Sequence, residues 1–552
     1  MPSDNLNTSE IPEINAFKVG ATRSRASLRK HSKKKKWKKR LFRTLIVFVI
    51  LILILAGSAY GYYEYIGSKI QHVHVSGLAH DNVALPENIL LVGNNSRCAL
   101  NGQQASQFGS CSQVGGARSD VLMIVHLDPA SHTASLLSIP RDLFVPLYNF
   151  AGTAAGRLDH AKVDAALNNG PSALVQAVEQ DFGIPITHYV SLNFDTFQGV
   201  VNDLGGINMY FPTEVKDYYS NLDVFQTGCL HLNGTQALAL VRSRHMYYLQ
   251  NGRWLYDGNG DISRITRNHL FLKALAAQVR PQLTNPFTDH ALLTTLLPNL
   301  QVDQNFTLSD MVSLALTFKN VSLGSVPTQT LASVGEGSFY YKGANFGSVL
   351  FPVQPAETQV ISQFLGYTPG QNITPGSFSL QVLNGTGAYN LATNVSSSLT
   401  ADGFNVTSTG NQVIPSTSGG STALESTIYY QPGYEAQAEK LMSVLGGTVI
   451  MGQSDQGYSS NVTLIVGNQL EVAPPQAVTT PSSTNPSNSS STSSSGVATT
   501  GVTTTQAPSV GTSTTTSPYG PVNPAEVYQS NRPIPWFDPT SCSPGQPVTN
   551  LN

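Results

Sequence analysis

Nine of the 11 arginines beyond Arg43 fall between positions 97 and 267, and eight of these sit at strand ends or in compact motifs: Arg97, Arg118, Arg141, Arg157, Arg242, Arg244, Arg264 and Arg267. A guanidinium is a planar fork that pairs bidentately with phosphate oxygens and stays charged when partly desolvated, so this concentration points to a phosphate-bearing ligand. Surface ion pairs, each worth at most about 1 kcal/mol, are the competing explanation. That explanation weakens for the set, because Arg97 follows the apolar run NILLVG (88–93) and Arg141 follows ASLLSIP (134–140). Open α/β sheets bind ligands beyond the ends of such strands. Asp120, next but one to Arg118, offers a hard oxygen ligand of the kind magnesium uses, one or two at a time, when it is bound to a pyrophosphate. A strand-start salt bridge to Arg118 is the structural alternative. In DISRITRN (261–268), Arg264, Arg267 and Asn268 sit three and four residues apart, which predicts projection from one helix face. Arg242 and Arg244 diverge by roughly 200° on a helix but point the same way in extended chain. If both serve one ligand, the helix before them ends near Val241.

The elements that must hold these residues read as mixed α/β. NILLVG (88–93), DVLMIVHL (120–127) and ASLLSI (134–139) are predicted buried strands, apolar enough to need cover on both faces. Ser172 is a candidate N-cap for a helix over 173–181 that Gly183 and Pro185 end. Further helices are expected over 197–204, 236–241 and 261–279. This domain is read as 87–365. A second α/β unit, 378–468, starts with the strand SLQVL and continues through a helix over 389–399, a strand over 427–430, a helix over 434–445 and a strand over 462–466. From 474 to 519 Ser, Thr, Pro and Val dominate without a charged side chain, a composition that cannot build a core. The tail is taken as 474–552, and its last stretch, with Trp536 and Cys542, has no legible pattern.

The net charge of −2 conceals an asymmetry, because 13 of the 31 Lys and Arg residues lie in the first 43 positions. The remaining 18 face 30 carboxylates, so the body carries −12 and should not bind polyanions nonspecifically. The basic segment (1–43) abuts 20 uncharged residues (44–63), the length needed to cross ~30 Å of hydrocarbon. Positive charge stays cytoplasmic, which predicts a single-pass type II cell-membrane protein with a stalk over 64–86 and its α/β body outside. Topology accounts for the basic run better than nucleic-acid binding does. Four cysteines occur, none with zinc-type spacing. Cys98 and Cys111 are expected to bridge a short loop, and Cys229 and Cys542 either pair or stay free.

In order and spacing, NILLVGNNSR (88–97), ARSDVLMIVHLDP (117–129), SIPRDLFV (138–145), VRSRH (241–245) and DISRITRN (261–268) resemble the LytR-CpsA-Psr catalytic domain. RLDHAKVDAALNNGP (157–171) and GIPITHYVSLNFDTFQGVVNDLGGINM (183–209) fill the blocks between them. The unit at 378–467 resembles the small domain often attached to these proteins. The resemblance implies a three-layer α/β/α sandwich with an apolar tunnel for a polyprenyl chain and an arginine-rich mouth for its pyrophosphate. It implies a magnesium-dependent phosphotransferase that moves a glycopolymer, such as teichoic acid, capsule or arabinogalactan, from polyprenyl pyrophosphate to peptidoglycan.

Carried over by position, Arg141, Arg242, Arg244 and Asp120 are the catalytic set. Arg97, Arg118, Arg157, Arg264, Arg267 and Asn268 join the arginines of that set around pyrophosphate, and Asp120 and Asn95 are the metal ligands. The chain departs from the family at Asn95, where the Gly-x-Asp-x-Arg motif has a carboxylate, and at Asn268, where Gln is frequent. Asp120 and Asp142 are candidate general bases. A scaffold that only holds the lipid-linked glycan, or a pyrophosphatase that needs no acceptor, remains an alternative on the same residues.

Overall fold

The computed structural model describes residues 48, 54, 57–58, 60–79, 85–95, 118–148, 158–279, 300–321, 326–412, 425–454, 457–472 and 534–551. The chain divides after Ser68 into two units. In the first, residues 60–67 are helical. The expectation of a single-pass type II membrane protein is corrected here: among the described residues no helix is long and apolar enough to cross a membrane. Most of the segment 44–63 lies outside the described residues.

The second unit is mixed α/β. It opens with strands β1 (Gln71–Val73), β2 (Glu87–Asn94), β3 (Ser119–Asp128) and β4 (Thr133–Ser138). The antiparallel pair β5 (Phe144–Tyr148) and β6 (Leu158–Lys162) follows, then helix α1 (Pro171–Phe182), β7 (His188–Leu192) and helix α2 (Phe194–Asp203). Strands β8 (Ile207–Phe211), β9 (Val215–Asp217), β10 (Leu222–Val224) and β11 (Gly228–Leu232) lead to α3 (Gly234–Arg242). The hairpin β12 (Tyr247–Gln250) and β13 (Arg253–Tyr256) precedes the long helix α4 (Asp261–Val279). Then come β14 (Gln301–Asp303), α5 (Leu308–Phe318), β15 (Thr328–Thr330), β16 (Ser333–Tyr341), β17 (Ala344–Gln354) and α6 (Ala356–Leu365).

Seven strands form the central sheet in the order β1-β14-β7-β2-β3-β4-β15. Its side chains alternate with the period of two that pleating imposes. Leu90, Val92, Leu122, Ile124 and Leu137 pack in one core cluster with Val175, Val178 and Phe182 of α1 and Ile361 and Phe364 of α6. Each such side chain contributes roughly 1.5–3 kcal/mol on burial. Leu91, Met123, Val190 and Leu192 face the other way, toward α2, α3 and α4. That face carries the site.

Local signals acted largely as read, with informative exceptions. α4 has the predicted bounds. α1 starts at Pro171 rather than under a Ser172 cap, since proline suits the first helical turn, and the Ser172 hydroxyl instead accepts from the Ser76 amide at 3.0 Å. Gly183 ends α1 in the left-handed conformation, φ 63°. α2 begins earlier than expected because the Asn193 side chain accepts from the Thr196 amide at 2.9 Å. α3 likewise starts at Gly234, under a capping box between Asn233 and Gln236.

The C-terminal unit contains β18 (Ser379–Asn384), α7 (Leu391–Ala401), β19 (Asn405–Asn411), β20 (Ser426–Tyr430), α8 (Glu435–Met442), β21 (Leu445–Gln453), β22 (Val462–Val466) and β23 (Glu471–Val472). Its sheet runs β16-β17-β21-β20-β22-β18-β19, so the boundary read near residue 365 is bridged by β17 pairing with β21. The sequence predicts a helix to Leu445 and no strand after it, but the helix stops at Met442 and β21 runs as a buried strand through Gly446 and Gly447, the latter at φ 88°.

The end of the chain is not a featureless tail. β24 (Thr540–Ser541) pairs with β8 and β25 (Val548–Asn550) with β11. Phe537 enters the core beside α3 and stacks on Tyr248 at 3.9 Å between centroids. A Cys229–Cys542 disulfide, with Cα atoms 5.6 Å apart, closes the alternative left open for these two residues. The expected Cys98–Cys111 bridge lies outside the described residues.

Candidate functional site

A cavity of about 490 Å³ lies between the central sheet and helices α2, α3 and α4. Its interior is apolar, walled by Leu91, Met123, Val190, Phe197, Leu238 and Phe271. Its other end is ionic: Arg118, Arg141, Arg242, Arg244 and Arg264 line it together with Asp120, Asn95 and Asn268. Five of the eight sequence-predicted arginines therefore converge on one opening. Arg97 and Arg157 lie outside the described residues.

Each member arrives from a different element. Asp120 is the second residue of β3, and Arg141 sits in the turn that follows β4. Arg242 ends α3 and lies over the Phe194 ring, 4.6 Å from its centroid. Ser243 then leaves the helix in extended backbone, ψ 120°, so the expected break between Arg242 and Arg244 falls one residue later than Val241. Asp217 holds this loop, its Oδ2 accepting from Ser243 Oγ at 2.8 Å and from the amides of Arg244 and His245 at 3.0 and 2.8 Å. Burial opposes ionisation of Asp217, but these donors outweigh it and its pKa is lowered.

Three carboxylates lace the guanidinium groups together. Asp120 pairs with Arg141 Nη1. Asp142 reaches Arg244 Nη2 at 2.9 Å and Lys162 Nζ at 2.9 Å. Asp261 reaches Arg264 Nη2 at 2.8 Å and Arg244 Nε at 3.1 Å. Burial raises the pKa of Asp142, yet Arg141, Arg244 and Lys162 outweigh it and hold the group below the usual carboxylate range. Burial likewise disfavours charge on Arg141, and Asp120, Asp142 and Asp261 more than restore it. Arg264, fully enclosed, has its pKa pushed down by burial, with Asp261 opposing. Behind them Asp164 is 3.8 Å from Arg118, and burial carries its pKa up to about 6. Such bridging fixes like charges side by side, the arrangement that electrostatic preorganisation toward an anion requires.

Two sequence assignments come out differently. Arg267 does not line the cavity: it is fully buried, with Nη1 3.0 Å from Asp257 and 3.1 Å from Asp538, and Nη2 donates to the Ser243 carbonyl at 2.9 Å. Successive helical residues diverge by about 100°, so Arg267 and Asn268, both near Arg264 in sequence, cannot share a narrow opening. Asn268 takes the cavity side. Asn95 is close to Asp120, but it turns its amide nitrogen that way, at 3.4 Å, while its Oδ1 accepts from the Arg118 amide at 3.0 Å. As arranged, it offers no oxygen for a metal beside Asp120.

The sequence reading missed Asp217, Asp261, Asp164 and Lys162 as supports, and Tyr219, Ser220 and His245 as cavity residues. Asp261 had a signal, being three residues before Arg264. Asp217 had none for this role, because the loop that its Oδ2 holds lies 26 to 28 positions downstream.

Residues 59–348 match the model of the LytR_cpsA_psr family, and residues 377–469 match the one described as LytR cell envelope-related transcriptional attenuator. The chain is 30% identical over 267 residues to the probable cell wall biosynthesis protein LcpB of Corynebacterium glutamicum, covering 48% of this chain and 58% of that one. It is 32% identical over 244 residues to the polyisoprenyl-teichoic acid–peptidoglycan teichoic acid transferase TagV of Bacillus subtilis, covering 43% and 58%. The chain thus spans 58% of the length of each. A solved LytR-Csp2A-Psr enzyme from Actinomyces oris is 25% identical, with 54% of this chain and 97% of that one covered and a TM-score of 0.41. With a family model matching more than half of its length, the chain belongs to the LytR_cpsA_psr family.

Proposed function

We propose that this chain is a phosphotransferase that moves a glycopolymer from a polyprenyl-pyrophosphate carrier to peptidoglycan. The observation that carries the reading is the two-ended cavity: an apolar interior suited to a hydrocarbon chain opens onto Arg118, Arg141, Arg242, Arg244 and Arg264, suited to its pyrophosphate head. Membership of the family and the similarity to a named teichoic acid transferase support it.

Phosphoryl transfer asks a protein for alignment and charge neutralisation rather than for covalent chemistry. A hydroxyl of the wall sugar attacks the glycan-proximal phosphorus, and the bond from that phosphorus to the bridging oxygen breaks. The hydroxyl proton ends on the phosphate oxygen that leaves, so the glycan finishes on a new phosphodiester and polyprenyl monophosphate departs. Arg141, Arg244 and Arg264 meet the negative charge that grows on the bridging and equatorial oxygens. Asp142, its pKa lowered by three cations, serves as their brace rather than as a proton acceptor.

Magnesium is proposed as the cofactor, with Asp120 as its protein ligand and without Asn95. Among the described residues no group of three or more His, Cys, Asp or Glu is arranged to hold a metal, so the fit is to an ion that takes most of its shell from pyrophosphate and water. When bound, it would supply further neutralisation of the pyrophosphate.

The test is incubation of the full chain with a polyprenyl-pyrophosphoryl disaccharide, magnesium and peptidoglycan fragments, following polyprenyl phosphate. Release that needs the acceptor and yields glycosylated peptidoglycan supports the reading. No release identifies a scaffold, and release without acceptor a pyrophosphatase.

A further inference from the structure

The four-stranded sheet β10-β9-β12-β13 reaches the cavity through Asp217 of β9, one of the lining residues. One face is buried, with Val215, Leu222 and Val224 in the core and Tyr248 packed against it. The opposite face of such an antiparallel sheet ordinarily carries polar side chains. Here the register places Lys216 opposite Tyr247 and Tyr247 opposite Tyr256, with Leu249 opposite Trp254 two residues along, so these side chains share the solvent face. Lys216 Nζ sits 4.0 Å from the Trp254 ring centroid and 5.3 Å from that of Tyr218. Tyr218 is 67% exposed, Tyr219 80% and Tyr256 48%, values that leave aromatic surface free for a ligand.

The rings continue from the site. Tyr219 and His245 both line the cavity and lie 4.6 Å apart, centroid to centroid. Tyr218, the residue before Tyr219, is 6.4 Å from Tyr247, and Tyr247 is 5.2 Å from Tyr256. A run of aromatic groups therefore leads from the arginine-lined mouth onto an open sheet. We propose that this run is a saccharide-binding platform that receives the glycan of the lipid-linked donor as it leaves the pyrophosphate. The proposal rests on the function proposed above.

The chemistry selects a sugar chain. One face of a pyranose is a patch of C–H bonds that packs on the negative face of an aromatic ring, while its hydroxyls remain available to phenol and ammonium groups at the ring edges. Continuity selects the donor. With its lipid in the apolar interior and its pyrophosphate on the arginines, the donor can extend its glycan only outward through the mouth, where Tyr219 and His245 begin the run. An exposed apolar patch joined to a ligand cavity is a recognised mark of a binding groove.

The test compares the affinity of the full chain for two probes, polyprenyl pyrophosphate and a polyprenyl-pyrophosphoryl disaccharide. The wild type is expected to prefer the sugar-bearing probe by about tenfold, the equivalent of one or two aromatic contacts. Combined Tyr218→Ala and Tyr256→Ala substitutions should abolish the preference and leave affinity for the bare probe unchanged. Tyr218→Phe with Tyr256→Phe, which keeps the rings, should retain most of it. A preference that survives the alanine pair overturns the platform. So does a rise in KM for peptidoglycan fragments with both probe affinities intact, which would assign the rings to the acceptor. Wild-type protein that binds neither probe overturns the reading of the cavity, and the platform with it.

Discussion

Arg267 Nη1 lies 3.1 Å from Asp538 Oδ1 with both side chains fully buried, so a residue near the C-terminus neutralises an arginine of the helix that lines the cavity. The same guanidinium donates to the Ser243 carbonyl, one residue before Arg244. Removing one partner of a buried pair leaves an uncompensated charge, which typically costs 3–5 kcal/mol. Asp538→Ala should therefore lower stability by about 3 kcal/mol, partly relieved by the remaining Asp257 partner, in denaturant unfolding. Cys542→Ser should cost roughly 2–4 kcal/mol through loss of the cross-link. Unchanged unfolding midpoints for both variants would show that the terminal segment does not brace the domain.

At the mouth, the distinction is between cavity-lining and structural arginines. Arg141→Ala and Arg244→Ala are expected to lower transfer by about 100-fold or more, the effect of losing one preorganised charge donor, with the fold retained by circular dichroism. Lysine at either position should recover only part of the activity, since it lacks the bidentate fork. Arg267→Ala, by contrast, should act first on stability. Equal loss of activity in all three without a difference in folding would contradict the division.

The proposed magnesium dependence turns on Asp120. Asp120→Asn should remove the response of transfer to magnesium, whereas Asn95→Asp, by adding a second carboxylate, should lower the half-saturating magnesium concentration by about tenfold. A magnesium titration of each variant decides this, and a curve for Asp120→Asn identical to that of the wild type would exclude Asp120 from the metal site.

The apolar interior can be filled without touching an arginine. Leu238→Trp should obstruct it and raise the KM for a polyprenyl-linked donor by about tenfold, while binding of inorganic pyrophosphate stays as in the wild type. Parallel loss of both would mean that the substitution disturbed the mouth.

Carboxylates crowd the seam where α1 and α6 meet the C-terminal unit. Burial raises Glu179 and Glu435 to about 7 and Glu439 to about 8, and lifts Asp181 and Glu357 well above the ordinary range. Because the folded state holds these protons more tightly, the seam is most stable below pH ~4.5 and loses stability as pH rises toward 8. Asp142 and Asp217, whose pKa values are lowered, act oppositely and only under stronger acid. Tm should fall between pH 5 and pH 8, and Glu439→Gln should flatten the pH dependence of the unfolding free energy by roughly 1 kcal/mol per pH unit. The same slope in wild type and variant would remove Glu439 from the effect.

Much of this protein is determined by local order along the chain. Short continuous apolar runs specified β2, β3 and β4, Gly183 ended α1, and the helical period of 261–279 set α4, because each depends on neighbours a few residues away. The type and number of guanidinium groups likewise pointed to an anion site, and five of them line one cavity. What the chain order left open was partnership. Arg264 and Arg267 are indistinguishable in sequence, yet about 60° of helix rotation sends one to the cavity and the other to Asp257 and Asp538. The pairing of Cys229 with Cys542, the grip of Asp217 on the Arg244 loop and the aromatic face of β12 and β13 all join distant segments or depend on strand register. Only packing decides which groups meet there, since the free energy of burying and pairing them exists only once the separate elements have closed on one another.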